Sequence, residues 1–167
     1  MKVIMDADSL VKLTKAKAKE VILKNIEAYI PPKVVEETVE TPKEEGYPDA
    51  FLIEANLNLK KGLLEVGEIE EKEEVEEMID RLKIKGGEAD VFRLYKSGSF
   101  DAISSDDGKF LEILDALDIP YLTPSALVVH LFKMKGLSKK ETETYINELK
   151  EMISDEEYYL AIREVEE

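Results

Sequence analysis

The chain has 167 residues, of which 44% are hydrophobic and 37% are charged, a balance typical of a soluble globular protein. It contains no cysteine, which excludes disulfides and thiolate metal sites and favours an intracellular, cytoplasmic protein. No stretch approaches the roughly 20 apolar residues of a membrane span, so we expect no membrane association. The net charge of −15 argues against a protein that binds nucleic acids over its whole surface.

The charge is unevenly distributed along the chain. Residues 1–33 carry seven lysines against four acids, whereas the remainder is strongly acidic, and a second group of lysines occupies residues 133–140. Four lysines in these basic segments are the candidate contacts for nucleic-acid phosphates. They are Lys12, Lys15, Lys133 and Lys135.

The first half of the chain alternates strand and helix. Apolar residues 2–5 predict a strand that ends at Asp6, and the next helix is expected to begin with Asp8 or Ser9 as its N-cap. A helix over 18–26 and a strand over 28–30 follow. Two prolines then open a helix that carries Glu37 near its start, and residues 41–48 are rich enough in proline, glycine and charge to predict a loop.

The middle of the chain is the most acidic part. Residues 49–59 predict a helix and residues 63–66 a short strand. Nine acids between residues 65 and 80 lie above an apolar stripe of helical spacing, which indicates the solvated face of an amphipathic helix. Two glycines at 86 and 87 lead into a helix with Glu88 in its first turn; the segment lacks the pattern of a phosphate-binding loop.

Residues 100–124 predict a buried strand, a tight acidic turn, a helix and a second short strand. The turn holds two adjacent carboxylates, Asp106 and Asp107, preceded by Ser105. One acid at this point is explained by capping the helix. A second one beside it repels the first, and therefore needs another explanation.

The last part of the chain is helical. A helix over 126–134 contains the only histidine, His130, for which we expect a structural role because no acid is spaced to orient it. Capping-box patterns begin at Ser138 and at Ser154 and predict two further helices. These helices either close the domain or pair with another subunit, as in a homodimer.

Alternating strands and helices predict a three-layer α/β/α fold around a central, mainly parallel sheet. The carboxyl ends of parallel strands meet at one edge, where a crevice forms. Five carboxylates follow strands or open helices that can meet there: Asp6, Glu37, Glu88, Asp106 and Asp107. Such a cluster cannot stay fully ionised without cations, and an all-oxygen donor set suits Mg²⁺ or Mn²⁺.

The same residues resemble the PIN domain, a ribonuclease fold found in toxin–antitoxin pairs and in RNA-processing enzymes. The matching segments are VIMDADSLVKL, PPKVVEE, GGEADVFRLY, FDAISSDDGKF and IPYLTPSALVVHLFKMKGL. The last three follow one another in the order and spacing of the subgroup that carries a GEA motif. These segments end at Leu137, so we expect a PIN-like domain over residues 1–137 and a helical extension over 138–167.

The resemblance implies a role for each matching residue. Asp6, Glu37, Glu88 and Asp107 match the catalytic, metal-binding acids of the family, and Asp106 stands beside them as a further metal ligand. Ser105 matches a small hydroxyl position that supports the site. Asp8 departs from the pattern, because relatives usually have Ser, Thr or Asn there, and it adds negative charge beside the ligands.

Two hypotheses follow. In the first, the protein is an endoribonuclease that uses Mg²⁺ or Mn²⁺ to hydrolyse RNA phosphodiester bonds. In the second, it is a PIN-like binding module whose acidic crevice captures a basic, Arg-rich protein. The resemblance implies a basic antitoxin-like protein as a partner in either case. The intact set of acids favours the enzyme, and the net charge of −15 favours the binding module.

Overall fold

The structure, a computed structural model, describes residues 1–57 and 63–167. Within these residues the chain forms one five-stranded sheet in which every strand is parallel to its neighbours. The strands are β1 (Lys2–Met5), β2 (Glu27–Ile30), β3 (Leu64–Val66), β4 (Ala102–Ser104) and β5 (Tyr121–Leu122), in the order β3-β2-β1-β4-β5. The predicted α/β fold with a central parallel sheet is confirmed.

Helices connect all of these strands. They are α1 (Ala7–Lys15), α2 (Lys19–Asn25), α3 (Pro32–Val35), α4 (Thr41–Glu44), α5 (Pro48–Leu57), α6 (Glu73–Leu82), α7 (Gly86–Ser97), α8 (Gly108–Ala116), α9 (Pro124–Lys133), α10 (Lys139–Leu149) and α11 (Asp155–Glu166). A π-helical turn, Glu36–Glu40, joins α3 to α4, and a 3₁₀ turn, Lys150–Met152, follows α10. Residues 58 and 59, the end of one predicted helix, lie outside the described residues.

The strand order places a crevice at the centre of the sheet. The chain moves from β1 outward to β2 and β3, then returns to the other side of β1 to form β4 and β5. Because right-handed crossovers in opposite directions lie on opposite faces, helices cover both sides of the sheet. The direction reverses between β1 and β4, and in parallel sheets the carboxyl ends of two such strands border the ligand-binding crevice.

The two central strands are held at this edge by burial and by hydrogen bonds. Val3, Ile4 and Met5 of β1 are fully buried, as expected for a strand covered on both faces. Just beyond them, the Asp6 amide donates to the carbonyl of Ser104 at the end of β4 (3.0 Å). The residues that follow β1 and β4 therefore begin side by side.

Two local predictions are wrong. Residues 36–44 are helical rather than partly a loop, because Pro42 falls in the first turn of α4, where a missing N–H is tolerated. Only part of the acidic run over 65–80 is helical, because α6 begins at Glu73. Glu65 lies in β3, which confirms the short strand predicted over 63–66.

The C-terminal helices pack against the rest of the chain. Both α10 and α11 contact α9, and α10 also contacts α1. Ser138 forms the predicted capping box with Glu141. Ser154 caps α11, but the carboxylate of Glu157 accepts from the hydroxyl of Ser125 (2.7 Å) on α9 instead of completing a second box. No helix in the described ranges is both long and apolar enough to cross a membrane.

Candidate metal centre

A cleft of about 540 Å³ opens at the carboxyl edge of the sheet, above the ends of β1 and β4. Six carboxylates and two lysines contribute to its lining: Asp6, Asp8, Glu37, Glu88, Asp106, Asp107, Lys12 and Lys85. These carboxylates come from four separate parts of the chain. The cleft therefore contains all five acids that the sequence nominated as metal ligands, together with Asp8.

Asp6 is fixed at the junction of β1 and α1. It is 5% exposed, and its carboxylate accepts a hydrogen bond from the Ser9 amide (2.8 Å), so it is the N-cap of α1. The prediction that Asp8 or Ser9 caps this helix is wrong, because α1 begins two to three residues earlier than expected. Burial raises the pKa of Asp6, against the opposing effect of hydrogen bonds from Ser105 and Ser9.

The adjacent acids of the β4–α8 turn have different environments. Asp107 caps α8 by accepting from the Phe110 amide (2.9 Å), and its own amide donates to the hydroxyl of Ser105 (3.3 Å). The Asp106 side chain instead turns towards Lys12 and is only 8% exposed. One of its oxygens, Oδ1, is buried and has no hydrogen-bond partner within the described part of the chain.

Lys12 joins Asp8 and Asp106, two acids that do not cap a helix. Its ammonium lies 2.5 Å from Asp106 Oδ2 and 2.6 Å from Asp8 Oδ2. Burial lowers the pKa of Lys12, but hydrogen bonds to Asp106 and Asp8 outweigh this effect and raise it. Burial raises the pKa of Asp106 to about 6, although Lys12 acts against the shift, whereas Lys12 keeps the pKa of Asp8 below its ordinary value despite partial burial.

Two glycines bring Glu37 into the cleft. Gly86 adopts a left-handed conformation (φ +56°), and the carboxylate of Glu37 accepts a hydrogen bond from the amide of Gly87. A Cβ atom at Gly87 would collide with Glu37 Oε2. The glycine pair thus leaves room for this carboxylate at the N-terminus of α7, where amides and the helix dipole favour an anion. Burial still raises the pKa of Glu37.

The pKa of Glu88 shows that four acids of the cleft interact: Glu88 itself, Asp107, Asp6 and Glu37. This pKa is raised to about 7, first by burial and then by the negative charges of Asp107, Asp6 and Glu37. These three residues come from different segments, and each is close enough to disfavour ionisation of Glu88. The four carboxylates therefore form one electrostatic unit.

The donor chemistry of this unit fits a hard divalent cation, since every candidate ligand is a carboxylate oxygen. Their mutual repulsion, visible in the raised pKa of Glu88, is what a cation relieves. Across residues 1–57 and 63–167, however, no three acid or histidine side chains are arranged as a ready-made metal-binding group. Binding of an ion therefore requires the carboxylate side chains to move closer together.

The predicted phosphate-binding lysines are dispersed. Lys12 lies in the cleft, and Lys15 is exposed in the last turn of α1. Lys133 ends α9 and pairs with Glu164. Because α9 runs back from the carboxyl edge of the sheet, Lys133 and Lys135 lie towards the opposite end, away from the cleft. His130 shares this last turn of α9.

Sequence reasoning missed two features of the cleft. Lys85, immediately before the glycine pair, lines it and is exposed, and its position next to Gly86 was the available signal. The second feature is the contact of Lys12 with Asp106. The four-residue spacing from Asp8 signalled only the pairing of Lys12 with Asp8 on one face of α1, and no local signal pointed to Asp106.

Comparison with sequence families gave one finding: a family model described as a PIN domain matches residues 2–167. The match covers the whole sheet, the cleft and the C-terminal helices α10 and α11, whereas the segments that carried the resemblance in the sequence ended at Leu137. Comparison with curated proteins and with solved structures gave no match.

Proposed function

Because the chain belongs to the PIN-domain family, whose members are generally nucleases and typically use divalent metal ions, we propose that it is a metal-dependent endoribonuclease that hydrolyses RNA phosphodiester bonds. The observation that carries this proposal is the convergence of Asp6, Glu37, Glu88 and Asp107 in one cleft. Burial, and then the negative charges of Asp107, Asp6 and Glu37, raise the pKa of Glu88 to about 7. A fold has no need of such a cluster, because buried like charges oppose folding.

These four carboxylates would hold Mg²⁺ or Mn²⁺, the cations that prefer an all-oxygen donor set. When bound, such an ion polarises a phosphoryl oxygen and lowers the pKa of a water molecule. Asp106 faces Lys12 and is not needed among the ligands.

The chain's own residues prepare the cleft for this chemistry. Asp6 and Asp107 are held by the amides they accept from at the starts of α1 and α8, so their positions are set by the backbone. Glu37 lies against Gly87 at the N-terminus of α7, whose amide favours its charged form. The raised pKa of Glu88 belongs to the metal-free cleft. A bound cation would favour its ionised carboxylate, and one of the four acids would then orient the attacking water.

RNA would approach this edge through its phosphates. Lys85 is exposed at the rim of the cleft, and Lys15 is exposed on α1, so both are available to a polyanion. Lys133 and Lys135 lie away from the cleft, so they would contact only a distant part of a long RNA. The many acids around the cleft make weak binding of RNA the expected outcome in the absence of the metal.

The test is cleavage of labelled single-stranded and hairpin RNAs by the purified protein with Mg²⁺, with Mn²⁺ and with EDTA. We expect internal cleavage with either ion, none with EDTA, and a loss of at least about 100-fold in Glu37→Gln, the scale of a lost catalytic group. The exposed acid Asp115 on α8 offers a matched control, and Asp115→Asn should cleave like the wild type. Equal cleavage by Glu37→Gln would contradict the proposal.

A second function is favoured by one observation: six carboxylates face two lysines in the cleft. A binding module of this kind would capture an Arg-rich protein segment, because guanidinium groups pair bidentately with carboxylates. The affinity for an Arg-rich peptide should then fall more when Mg²⁺ is added than when NaCl is added at matched ionic strength, because only Mg²⁺ competes for the oxygens. Equal affinities in both salts would show that the peptide binds outside the cleft.

Pairing of two copies through the C-terminal helices stays a prediction.

A further inference from the structure

The Lys12 side chain reaches into the acidic cleft and is itself largely enclosed. It is 17% exposed, and the Asp106 side chain beneath it is 8% exposed, whereas Asp8 on the outer side is 63% exposed. The ammonium lies 2.5 Å from Asp106 and 2.6 Å from Asp8. Contacts of this length with two carboxylates make Lys12 a positive charge fixed inside the cleft, unlike the exposed Lys15 one turn later.

The cleft divides into two halves on this basis. In one half, the charges of Asp107, Asp6 and Glu37 act on Glu88. In the other half, Lys12 contacts both Asp8 and Asp106, and the charge of Asp8 also reaches Asp6 across the boundary. The first half has surplus negative charge, and in the second the ammonium offsets one of two negative charges.

A buried oxygen marks the second half as a place that accommodates a cation. Asp106 Oδ1 is buried and has no hydrogen-bond partner in the described residues, although a polar atom in this position ordinarily has one. Lys12 binds only the other oxygen, Oδ2. If the ammonium were absent, both oxygens of Asp106 and the carboxylate of Asp8 would be left for a metal ion.

We propose that Lys12 is a built-in cation that occupies the Asp8–Asp106 half of the cleft, so that the protein binds one divalent ion, in the other half, instead of two. This inference rests on the proposed function only for the identity of the ion. A lysine suits the role because its ammonium is a compact positive point charge. Asp106 is then the anchor of Lys12 and not a metal ligand.

The number of bound ions tests this directly. Mn²⁺ would be titrated into the wild type and into Lys12→Met, with free Mn²⁺ followed by electron paramagnetic resonance and heat by calorimetry. We expect one ion in the wild type and two in Lys12→Met. Lys12→Arg keeps the charge, and Lys15→Met removes an exposed lysine from the same helix, so both should bind one ion. Two ions in the wild type, or one in Lys12→Met, would overturn the proposal.

A second variant decides the matter even if Lys12→Met does not fold. Asp106→Asn keeps the shape of the side chain and leaves Lys12 paired with Asp8. We expect its Mn²⁺ affinity to stay within about threefold of the wild type, while Asp107→Asn loses at least tenfold. A tenfold loss in Asp106→Asn would make Asp106 a metal ligand and refute the assignment.

The same data separate this inference from the proposed function. A wild type that binds one Mn²⁺ but cleaves no RNA would end the nuclease proposal and leave the role of Lys12 standing. A wild type that binds no ion would end the metal centre. It would also refute the inference, which requires one ion in the wild type.

Discussion

Two regions of this protein are dense in acids, and only one of them has the physical features of a reactive site. Around α6 the glutamates lie on the surface, and Glu76 forms two hydrogen bonds with Arg93 (2.6 and 2.7 Å), which hold its pKa below the ordinary value. In the cleft, burial and like charges raise the pKa of Glu88 to about 7. The comparison shows that acid content alone indicates little; burial together with like-charged neighbours is what distinguishes a site.

The sharpest way to separate the two regions is to remove one charge from each. We expect Asp6→Asn and Asp107→Asn to reduce RNA cleavage by about 100-fold or more, as for other lost catalytic groups. Their melting temperatures without metal should be unchanged or higher, because asparagine also caps helices and one repulsive charge is gone. Glu77→Gln, in the exposed acidic face of α6, should change neither quantity.

Thermal melts and cleavage assays with Mg²⁺ or Mn²⁺ measure both effects on the same preparations. Loss of the fold in either cleft variant, or full activity, would remove that residue from the ligand set. A loss of activity in Glu77→Gln would contradict the distinction between the two regions.

A substitution at Gly87 tests whether the cleft, unlike the exposed acidic surface, depends on close packing. Gly87→Ala should lower Mn²⁺ affinity by about 10-fold or more, the scale seen when groups that orient a ligand are changed, since the new methyl group displaces the Glu37 carboxylate. Gly108 lines the same cleft and has open space where a Cβ would lie, so Gly108→Ala is the matched control. Similar affinities for the two variants, measured by calorimetry, would argue against Glu37 as a ligand.

The pH dependence of stability should differ between the regions. The pKa of Glu88 is raised from 4.5 to about 7 and that of Asp106 from 3.8 to about 6, so the folded protein holds these protons more tightly than the unfolded chain does. Unfolding free energy without metal should therefore fall as the pH rises from about 4.5 to about 7. The lowered pKa of Glu76 acts in the opposite direction, and only at lower pH, where that group titrates.

Urea titrations of the metal-free protein at pH 5 and pH 8 measure this slope. Glu88→Gln mimics the protonated acid, so it should raise stability at pH 8 and change it little at pH 5. Glu77→Gln is again the control. A wild type that is more stable at pH 8 than at pH 5 without metal, together with no stabilisation by Glu88→Gln at pH 8, would show that the pKa of Glu88 is not raised in the folded protein.

The smallest effect is expected at His130, which lies in the last turn of α9 and towards the opposite edge of the sheet. His130→Gln should leave the cleavage rate within a factor of a few, because no acid of the cleft lies near enough to use its proton. A reduction of 10²-fold or more in a cleavage assay, typical of a lost general acid or base, would bring this histidine into the mechanism.

The sequence was informative where local rules determine the structure. An apolar run followed by an acid marked the ends of β1 and β4, and parallel strands necessarily bring such ends to one edge. This was enough to nominate Asp6, Asp106 and Asp107. The resemblance to PIN domains supported Glu37 and Glu88 as further candidate ligands.

Features that depend on long-range contacts were not predictable in the same way. Asp106 lies 94 residues from Lys12, so no spacing rule connects them. Glu157 fits a capping box by sequence, yet it binds Ser125, 32 residues away. Helix α4 was not predicted, because a proline-rich segment indicates a loop unless the proline falls in the first turn of a helix. Each error arose where a distant partner or an exact helix start decided the outcome.

Asp6 and Asp107 each have two duties, since both cap a helix and both point their carboxylates at the cleft. Asparagine can cap a helix but cannot supply the negative charge of a metal ligand. A single aspartate-to-asparagine change at either position would thus leave a folded protein whose cleft keeps its other acids but lacks one ligand of the proposed metal centre. In evolutionary terms, one substitution would therefore separate folding from the proposed catalysis.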